Sequence, residues 1–204
     1  MNRNLWVFES EARKSGYSLI AGIDEAGRGP LAGPVVSAAV VLPENACLDG
    51  VNDSKKLTPK KREELFPGIR AAALAVGVGI VRAETIDRIN ILQAALLSMA
   101  RAVENLAVKP DYLLIDGPFP IPLDLPQNAL PKGDSLSISI AAASIIAKVT
   151  RDRMMAAYDE AYPEYGFSKH KGYPTRAHRE AIRRWGCSPI HRKSFKGVRE
   201  HIVP

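Results

Sequence analysis

The chain has 204 residues, of which 46% are apolar and 25% charged, a composition that fits one well-ordered core and excludes a disordered chain. Its longest uncharged stretches reach about thirteen residues, too few for a bilayer span of roughly 20, and its N-terminus lacks the apolar run of a signal peptide. We therefore expect a soluble cytoplasmic protein without a membrane partner, with Cys47 and Cys187 as free thiols.

Positive charge is concentrated near the C-terminus. The formal net charge is +6, yet residues 166–204 carry ten basic and two acidic side chains, whereas the first 165 residues carry −2. Such a segment favours a polyanionic partner, for which nucleic acid is the commonest choice, although a solvated basic helix fits equally well. All four histidines lie in this segment without a metal-binding spacing, and His170 is expected at the surface.

The first half of the chain predicts three strands and a helix. Residues 19–26 and 34–42 are apolar runs, and the Gly and Pro residues between them predict adjacent strands with a tight connection. Thr58 and Pro59 mark a helix start, because a hydroxyl caps the first turn and proline suits the first helical position. This helix is predicted to end near Pro67, and residues 76–81 form another strand.

The second half predicts two long helices around a short strand. Apolar residues from Ile86 to Leu106 recur at helical spacing and predict one amphipathic helix before Pro110. Residues 112–115 form a strand, and residues 118–131, with five prolines, form an irregular loop. Residues 138–162 form a helix whose three alanines, 141–143, permit close approach of a neighbour, and residues 176–185 form a last helix.

Alternation of strands and helices indicates an α/β layered domain. We predict a main α/β domain over residues 1–162 and a small basic helical extension over residues 163–204.

Four acidic residues lie at the ends of these elements. Asp24 and Glu25 end the first strand, Asp116 ends a later strand, and Asp134 precedes a long helix. Ligands of α/β sheets bind beyond the carboxyl ends of strands, and clustered carboxylates need cations, for which oxygen ligands favour Mg²⁺ or Mn²⁺. Each acid also has an ordinary structural interpretation: Asp before Gly forms turns, Asp134 suits the positive end of a helix dipole, and adjacent strand residues point to opposite faces.

Six motifs in chain order resemble the type 2 ribonucleases H. The resemblance extends from about residue 19 to residue 195, and the first and fifth motifs are long and specific. It favours ribonuclease HII over HIII, because HIII has Lys in place of Arg28 and an added N-terminal domain for which about eighteen residues leave no room. The motifs are GIDEAGRGPLAGP at residues 22–34, DSKKL at 53–57, IDG at 115–117, KGD at 132–134, IAAASIIAKVTRD at 140–152 and HKGYPT at 170–175.

This resemblance implies a catalytic domain over residues 1–162, with a ribonuclease H-like mixed sheet flanked by helices, and a C-terminal helical extension over residues 163–204 that binds substrate. It further implies that Asp24, Glu25, Asp116 and Asp134 are catalytic and bind two divalent cations, Mn²⁺ or Mg²⁺. The implied reaction is hydrolysis of the RNA strand of RNA/DNA hybrids, and cleavage 5′ of single ribonucleotides in duplex DNA, giving 5′-phosphate and 3′-hydroxyl ends.

The resemblance also implies how the substrate is recognised. The main chain of Gly27, Arg28 and Gly29 would contact the 2′-hydroxyl of the ribonucleotide, which distinguishes RNA from DNA. Tyr173 would pack on the deoxyribose that follows the ribonucleotide, which explains a preference for an RNA–DNA junction. Three further residues match positions that touch phosphates: Lys55, Ser144 and Lys148.

The sequence leaves other functions open. A DNA nuclease or resolvase on the same core would cut all-DNA duplexes equally well, and a non-catalytic hybrid-binding module would bind without turnover. A monomer is assumed, and a replication clamp is left open as a protein partner.

Overall fold

A mixed five-stranded sheet forms the centre of the protein in the computed structural model, which describes residues 4–44, 46–51 and 54–202. The strand order is β3-β2-β1-β4-β5; β1, β2 and β3 pair antiparallel, whereas β4 pairs parallel with both β1 and β5. This architecture confirms the predicted α/β class. The strands are β1 (Ile20–Ala26), β2 (Val35–Val41), β3 (Ala75–Val81), β4 (Tyr112–Asp116) and β5 (Gln127–Leu130).

Helices cover both faces of the sheet. Helix α5 packs on β1 and β2, with α2 beside it, and helix α4 packs on β2 and β3. Strand β2 is buried along its whole length, which explains why its sequence is continuously apolar rather than alternating. The helices are α1 (Val7–Lys14), α2 (Pro59–Ala72), α3 (Ala83–Ile89), α4 (Ile91–Glu104), α5 (Ile138–Ala161), α6 (Phe167–His170) and α7 (Arg176–Trp185).

Helix α5 lies unusually close to the sheet, as its alanines predicted. Ala141, Ala142 and Ala143 are fully buried, and a Cβ atom on Gly22 of β1 would collide with the backbone of Ser139. The close approach brings the N-terminal end of α5 to the strand that carries Asp24.

Two predicted helix boundaries are wrong. Helix α2 continues past Pro67 to Ala72, because the burial of Phe66 and Ile69 in the core outweighs the hydrogen bond that proline cannot donate. The predicted single helix after β3 is two helices, α3 and α4, separated at Asn90, whose backbone has φ 66° and ψ 166°.

The proline-rich segment also differs from the prediction. The sequence predicts an irregular loop over residues 118–131, but Gln127–Leu130 form β5 beside β4. The Gln127 side chain accepts from the Ile121 amide at 2.9 Å and donates to the carbonyls of Ile121 and Leu123, and this cross-linking gives the loop its shape.

The C-terminal segment folds against the main sheet domain. Its Tyr165, Phe167, Ile182 and Val198 form a small core with Leu31, Ala32 and Met155 from the preceding part of the chain. Because these apolar contacts cross residue 162, the division into two domains there stays a prediction.

Among the described residues, no helix is long and apolar enough to cross a membrane. Both cysteines are free thiols, as predicted, and Asp53 of the second motif lies outside the described residues.

Candidate active site

Three carboxylates meet at one edge of the sheet. Strands β1 and β4 run parallel, with Ile23 paired to Ile115, so Asp24 and Asp116 follow side by side where the strands leave the core. Asp134 approaches from a 3-10 turn, Gly133–Ser135, immediately before α5. One oxygen from each of the three carboxylates lies within 4.8 Å of the others. The predicted convergence of these three acids is therefore present.

The backbone around Asp116 and Asp134 fixes their relative position. The Gly133 amide donates to Asp116 Oδ1 at 2.7 Å, which joins the end of β4 to the turn that carries Asp134. Lys132 adopts the left-handed conformation, φ 63°, to start that turn, and Lys55 Nζ donates to Asp134 Oδ2 at 3.3 Å. A cationic side chain thus already approaches this group of acids from the residue 54–56 turn.

In the protein without a bound cation, the charged form of the Asp24 side chain is electrostatically unfavourable. It is 1% exposed; its Oδ1 accepts from the Glu25 amide at 2.6 Å, but no donor among the described residues lies in hydrogen-bonding geometry to its buried Oδ2. Burial raises the pKa of Asp24 well above its ordinary value, and repulsion by Glu25 and Asp116 raises it further. A buried oxygen without a donor, beside two further carboxylates, fits a site for a cation.

Glu25 is the fourth predicted ligand, and it lies apart from the close group of three. Adjacent strand residues diverge, and the Glu25 carboxylate instead accepts from Arg28 Nη1 at 3.4 Å. Burial raises the pKa of Glu25; the positive charge of Arg28 lowers this pKa and the negative charge of Asp116 raises it. The Glu25 carboxylate is therefore close enough to interact electrostatically with the central acids. Glu25 therefore lies at the rim of the site, beside the other three carboxylates.

The glycine-rich turn after β1 borders the carboxylates. Gly27 has φ +101°, and a Cβ atom there would collide with the Arg151 side chain, so both backbone shape and space require glycine. The amides of Arg28 and Gly29 donate to no acceptor within the part of the chain that the structure describes. Tyr173 is 43% exposed, and its ring lies 3.5 Å from the position of a Cβ atom on Gly29. The turn and Tyr173 thus form one continuous surface.

The three predicted phosphate contacts have different environments. Lys55 faces Asp134, as described above. The Ser144 hydroxyl is buried beside Asp24, whose pKa it lowers, and shares a 2.7 Å hydrogen bond with Ser54. Lys148 is turned toward Asp152, to which its Nζ donates at 2.7 Å, and is only partly exposed. Lys55 and Ser144 border the carboxylates directly, whereas Lys148 is held by an ion pair.

Several functional candidates were missed or misplaced by the sequence interpretation. Arg192 is one of the ten basic residues in the C-terminal segment, but its side chain is fully buried and bonded to backbone carbonyls. His170 was expected at the surface and is half-buried, with Nε2 2.9 Å from the Tyr165 carbonyl oxygen. His178 and His191 are buried and hydrogen-bonded to each other. Arg151 gave no usable signal, because the charged residues Lys148, Asp152 and Arg153 surround it in the same helix.

Comparisons with known proteins agree with this arrangement. The sequence profile of the family Ribonuclease HII matches residues 21–198. A ribonuclease HII from Geobacter metallireducens is 62% identical over 202 residues, covering 99% of this chain and 95% of the relative.

Two solved structures have the same fold at recognisable sequence identity. The ribonuclease H2 from Pyrococcus horikoshii superposes with a TM-score of 0.73 at 31% identity, covering 89% of this chain and 95% of that one. The ribonuclease HII in the PCNA complex from Archaeoglobus fulgidus gives 0.73 at 32% identity, covering 87% and 95%. On the profile match and the near-complete overlap with these relatives, the chain belongs to the ribonuclease HII family.

Proposed function

We propose that Asp24, Asp116 and Asp134, with Glu25 at the rim, are the catalytic residues of this enzyme and hold two divalent cations, Mg²⁺ or Mn²⁺. The chain is an endoribonuclease, and its family hydrolyses the RNA strand of RNA/DNA hybrids and cuts at ribonucleotides in DNA. Family membership favours this function over a DNA nuclease, a resolvase or a binding module. The observation that supports the site is the approach of three carboxylates to within 4.8 Å of one another.

The donor set indicates the kind of metal. Enzymes of the ribonuclease H type use divalent ions, and the group of described residues that could hold one offers only carboxylate oxygens. Hard oxygen ligands without histidine or cysteine favour Mg²⁺ and Mn²⁺ over zinc. When bound, such ions activate water and stabilise the leaving oxygen, giving 5′-phosphate and 3′-hydroxyl ends.

The residues around the carboxylates orient the substrate. The amides of Arg28 and Gly29, which have no acceptor among the described residues, are suited to donate to the 2′-hydroxyl of a ribonucleotide, with Gly27 giving the turn its shape. The half-exposed Tyr173 ring beside Gly29 supplies an apolar face for the next sugar. The family resemblance also assigns phosphate contacts near the scissile bond to Lys55, Ser144 and Lys148, which for Lys148 requires release from its ion pair with Asp152.

The wider surroundings extend the proposal to the whole substrate and to partners. The exposed cations of residues 163–204 would bind the backbone of the duplex without reading its sequence. A ring-shaped replication clamp is the protein partner suggested by the Archaeoglobus fulgidus relative, which is described in a PCNA complex. We also propose the cytoplasmic location that the sequence predicts, which fits a substrate made of DNA and RNA.

The test measures cleavage of a DNA duplex containing a single ribonucleotide, with Mg²⁺ or Mn²⁺ present. Asp134→Asn should slow cleavage by more than about 100-fold, because loss of a residue that only supports a metal ligand already costs about 10–100-fold, while binding of the duplex persists. The matched control is Asp124→Asn, at an exposed acid of the loop before β5, which should cut like the unchanged protein.

Two results would contradict the proposal. If Asp134→Asn loses binding and cleavage together, Asp134 is structural. If folded, unchanged protein cuts an all-deoxy duplex as fast as the ribonucleotide duplex, the 2′-hydroxyl is not recognised.

A further inference from the structure

Buried arginines hold the loop that contains the Gly-Arg-Gly turn, residues 27–34, which we call the 27–34 loop. Arg192, from the C-terminal segment, donates through Nε to the Gly33 carbonyl at 3.0 Å, through Nη1 to Arg28 at 2.9 Å and through Nη2 to Gly27 at 2.5 Å. All three of its acceptors therefore belong to this loop.

Arg151 of α5 approaches the same loop but also reaches a second segment. Its Nε donates to the Pro34 carbonyl at 3.0 Å and its Nη2 to the Ala32 carbonyl at 3.1 Å. Its Nη1 donates to the Lys171 carbonyl at 3.0 Å, two residues before Tyr173. A single planar guanidinium thus joins the 27–34 loop to the segment that presents Tyr173.

Because they are buried, the guanidinium groups of Arg151 and Arg192 depend on these hydrogen bonds. Arg151 is 1% exposed and Arg192 is 0% exposed, and neither forms an ion pair with any residue that the structure describes. Burial lowers the pKa of Arg151 to about 10 and that of Arg192 to about 9, so both remain charged near neutral pH. A buried charge without a carboxylate partner is tolerable only while its carbonyl acceptors stay in place.

The inward-facing carbonyls determine which amides of the 27–34 loop remain available. With the carbonyls of Gly27 and Arg28 turned toward Arg192, the amides of Arg28 and Gly29 are left for an outside acceptor. The charged guanidinium therefore orients the peptide groups that we assign to the 2′-hydroxyl.

The loop and the Tyr173 segment are in direct contact across the space that Arg151 spans. The Leu31 amide donates to the Gly172 carbonyl at 2.8 Å, and a Cβ atom on Gly172 would lie 2.6 Å from the Ala32 carbonyl oxygen. There is no room for another side chain between them, so the position of one segment determines that of the other.

We propose that Arg151 is a positioning residue for junction selectivity: it fixes the spacing between the amides that read the ribonucleotide and the Tyr173 ring that packs on the following deoxyribose. This inference rests on the roles proposed above for the Gly-Arg-Gly turn and Tyr173. The Arg192 side chain, in contrast, donates only to carbonyls of the 27–34 loop and therefore orients this loop without contacting the Tyr173 segment.

The test is a double-variant cycle on the selectivity ratio, defined as kcat/KM for a duplex with a single ribonucleotide divided by kcat/KM for a continuous RNA/DNA hybrid. Tyr173→Ala should lower the ratio by about tenfold, since the deoxyribose contact is available only at the junction. Arg151→Met should lower the ratio to a similar extent, and the Arg151→Met/Tyr173→Ala double variant should lower it no further. Arg192→Met should slow cleavage of both substrates while leaving the ratio unchanged.

The outcomes separate this inference from the function on which it rests. An unchanged ratio in Tyr173→Ala contradicts the role of Tyr173 itself. A normal ratio in Arg151→Met, additive losses in the double variant, or an equal fall in Arg192→Met overturns the positioning role of Arg151. Circular dichroism and thermal unfolding identify folded variants; where Arg151→Met does not fold, Arg151→Lys, which retains charge but loses the planar fork, is judged by the same criteria.

Discussion

Two histidines of the C-terminal segment are buried in one hydrogen-bond network. His178 Nδ1 lies 2.9 Å from the Tyr173 carbonyl, and His191 Nδ1 accepts from the Ser188 amide at 2.9 Å. These partners assign the protons: His178 donates through Nδ1, so its Nε2 accepts from His191 Nε2–H at 3.0 Å. Both rings are therefore neutral, and the network holds the backbone of the residue proposed to pack on the substrate.

This network predicts a loss of stability in mild acid. Burial lowers the pKa of His178 and of His191 from 6.5 to about 4. Above about pH 6.5 neither state is protonated; as the pH falls toward 4, the unfolded chain binds protons that the folded chain excludes, so stability is lost. From about pH 7 to about pH 5, we expect the free energy of unfolding to fall by about 2 kcal/mol for each histidine.

Urea unfolding at these two pH values provides the measurement. His178→Gln should show about half of the pH-dependent loss that these two histidines cause. His201→Gln, at a partly exposed residue outside the network, serves as the control and should retain the full loss. Equal losses in the two variants would contradict the assignment of the buried rings.

Among the elements, α3 and α4 depend on a single residue for their separation. The Asn90 side chain accepts from the amides of Leu92 at 3.0 Å and Gln93 at 3.1 Å, which caps α4. The break also frees α3 to bind the C-terminal segment, because Asp87 accepts from the amides of Lys193 at 2.8 Å and Ser194 at 2.9 Å. Asn90 thereby supports the turn that follows the buried Arg192.

Substitution of Asn90 should separate the cap from the backbone strain. Asn90→Ala loses the cap and keeps a Cβ atom at φ 66° and ψ 166°, a region occupied mainly by glycine. We expect it to lower the free energy of unfolding by about 1 kcal/mol, the contribution of the cap, because the strained backbone is already present with asparagine. Asn90→Gly loses the cap but relieves the strain, so we expect little or no loss of stability. Chemical unfolding of both variants measures the difference, and equal losses would mean that the backbone conformation costs nothing.

The elements that could be predicted from sequence are those with a local signal. Strand β2 is a continuous apolar run between turn residues, and Thr58 caps α2 as expected, through a 3.2 Å bond from the Lys61 amide. Asn90 was missed because the apolar spacing continues in phase across it. Strand β5 was missed because its pairing with β4 is non-local and its sequence begins with the polar Gln127.

The same distinction holds for the site. Asp24 and Asp116 could be predicted because both follow apolar strands, and parallel pairing then places them together. Arg192 could not, since its chemistry matches that of the other tail cations and its acceptors are up to 165 residues away in sequence. Burial of a charge depends on carbonyl acceptors supplied by the rest of the fold, and these acceptors cannot be predicted from the sequence near Arg192.

Over the whole molecule, the positive charge of the C-terminal segment divides into an inner and an outer part. Arg192 acts inside, on the 27–34 loop. Arg179 and Lys196 are exposed and line one groove, and Arg179 Nε lies 3.3 Å from the Pro174 carbonyl beside the Tyr173 turn. The groove, which Glu200 also lines, therefore adjoins the proposed recognition surface at Tyr173.

Removing these outer charges should weaken binding without changing selectivity. Each lysine or arginine that contacts a phosphate releases about one counterion, so Arg179→Gln/Lys196→Gln should reduce the slope of log affinity against log salt by about 2. The loss should be equal for a ribonucleotide duplex and an all-deoxy duplex, measured by fluorescence anisotropy in EDTA to prevent cleavage. The charge-matched control is Lys14→Gln/Lys109→Gln, at exposed residues near the opposite edge of the sheet, where β1 and β4 begin. An unchanged slope in the groove variant, or the same reduction in the control, would show that the C-terminal cations serve solubility rather than phosphate binding, because only a surface in contact with the duplex releases its counterions.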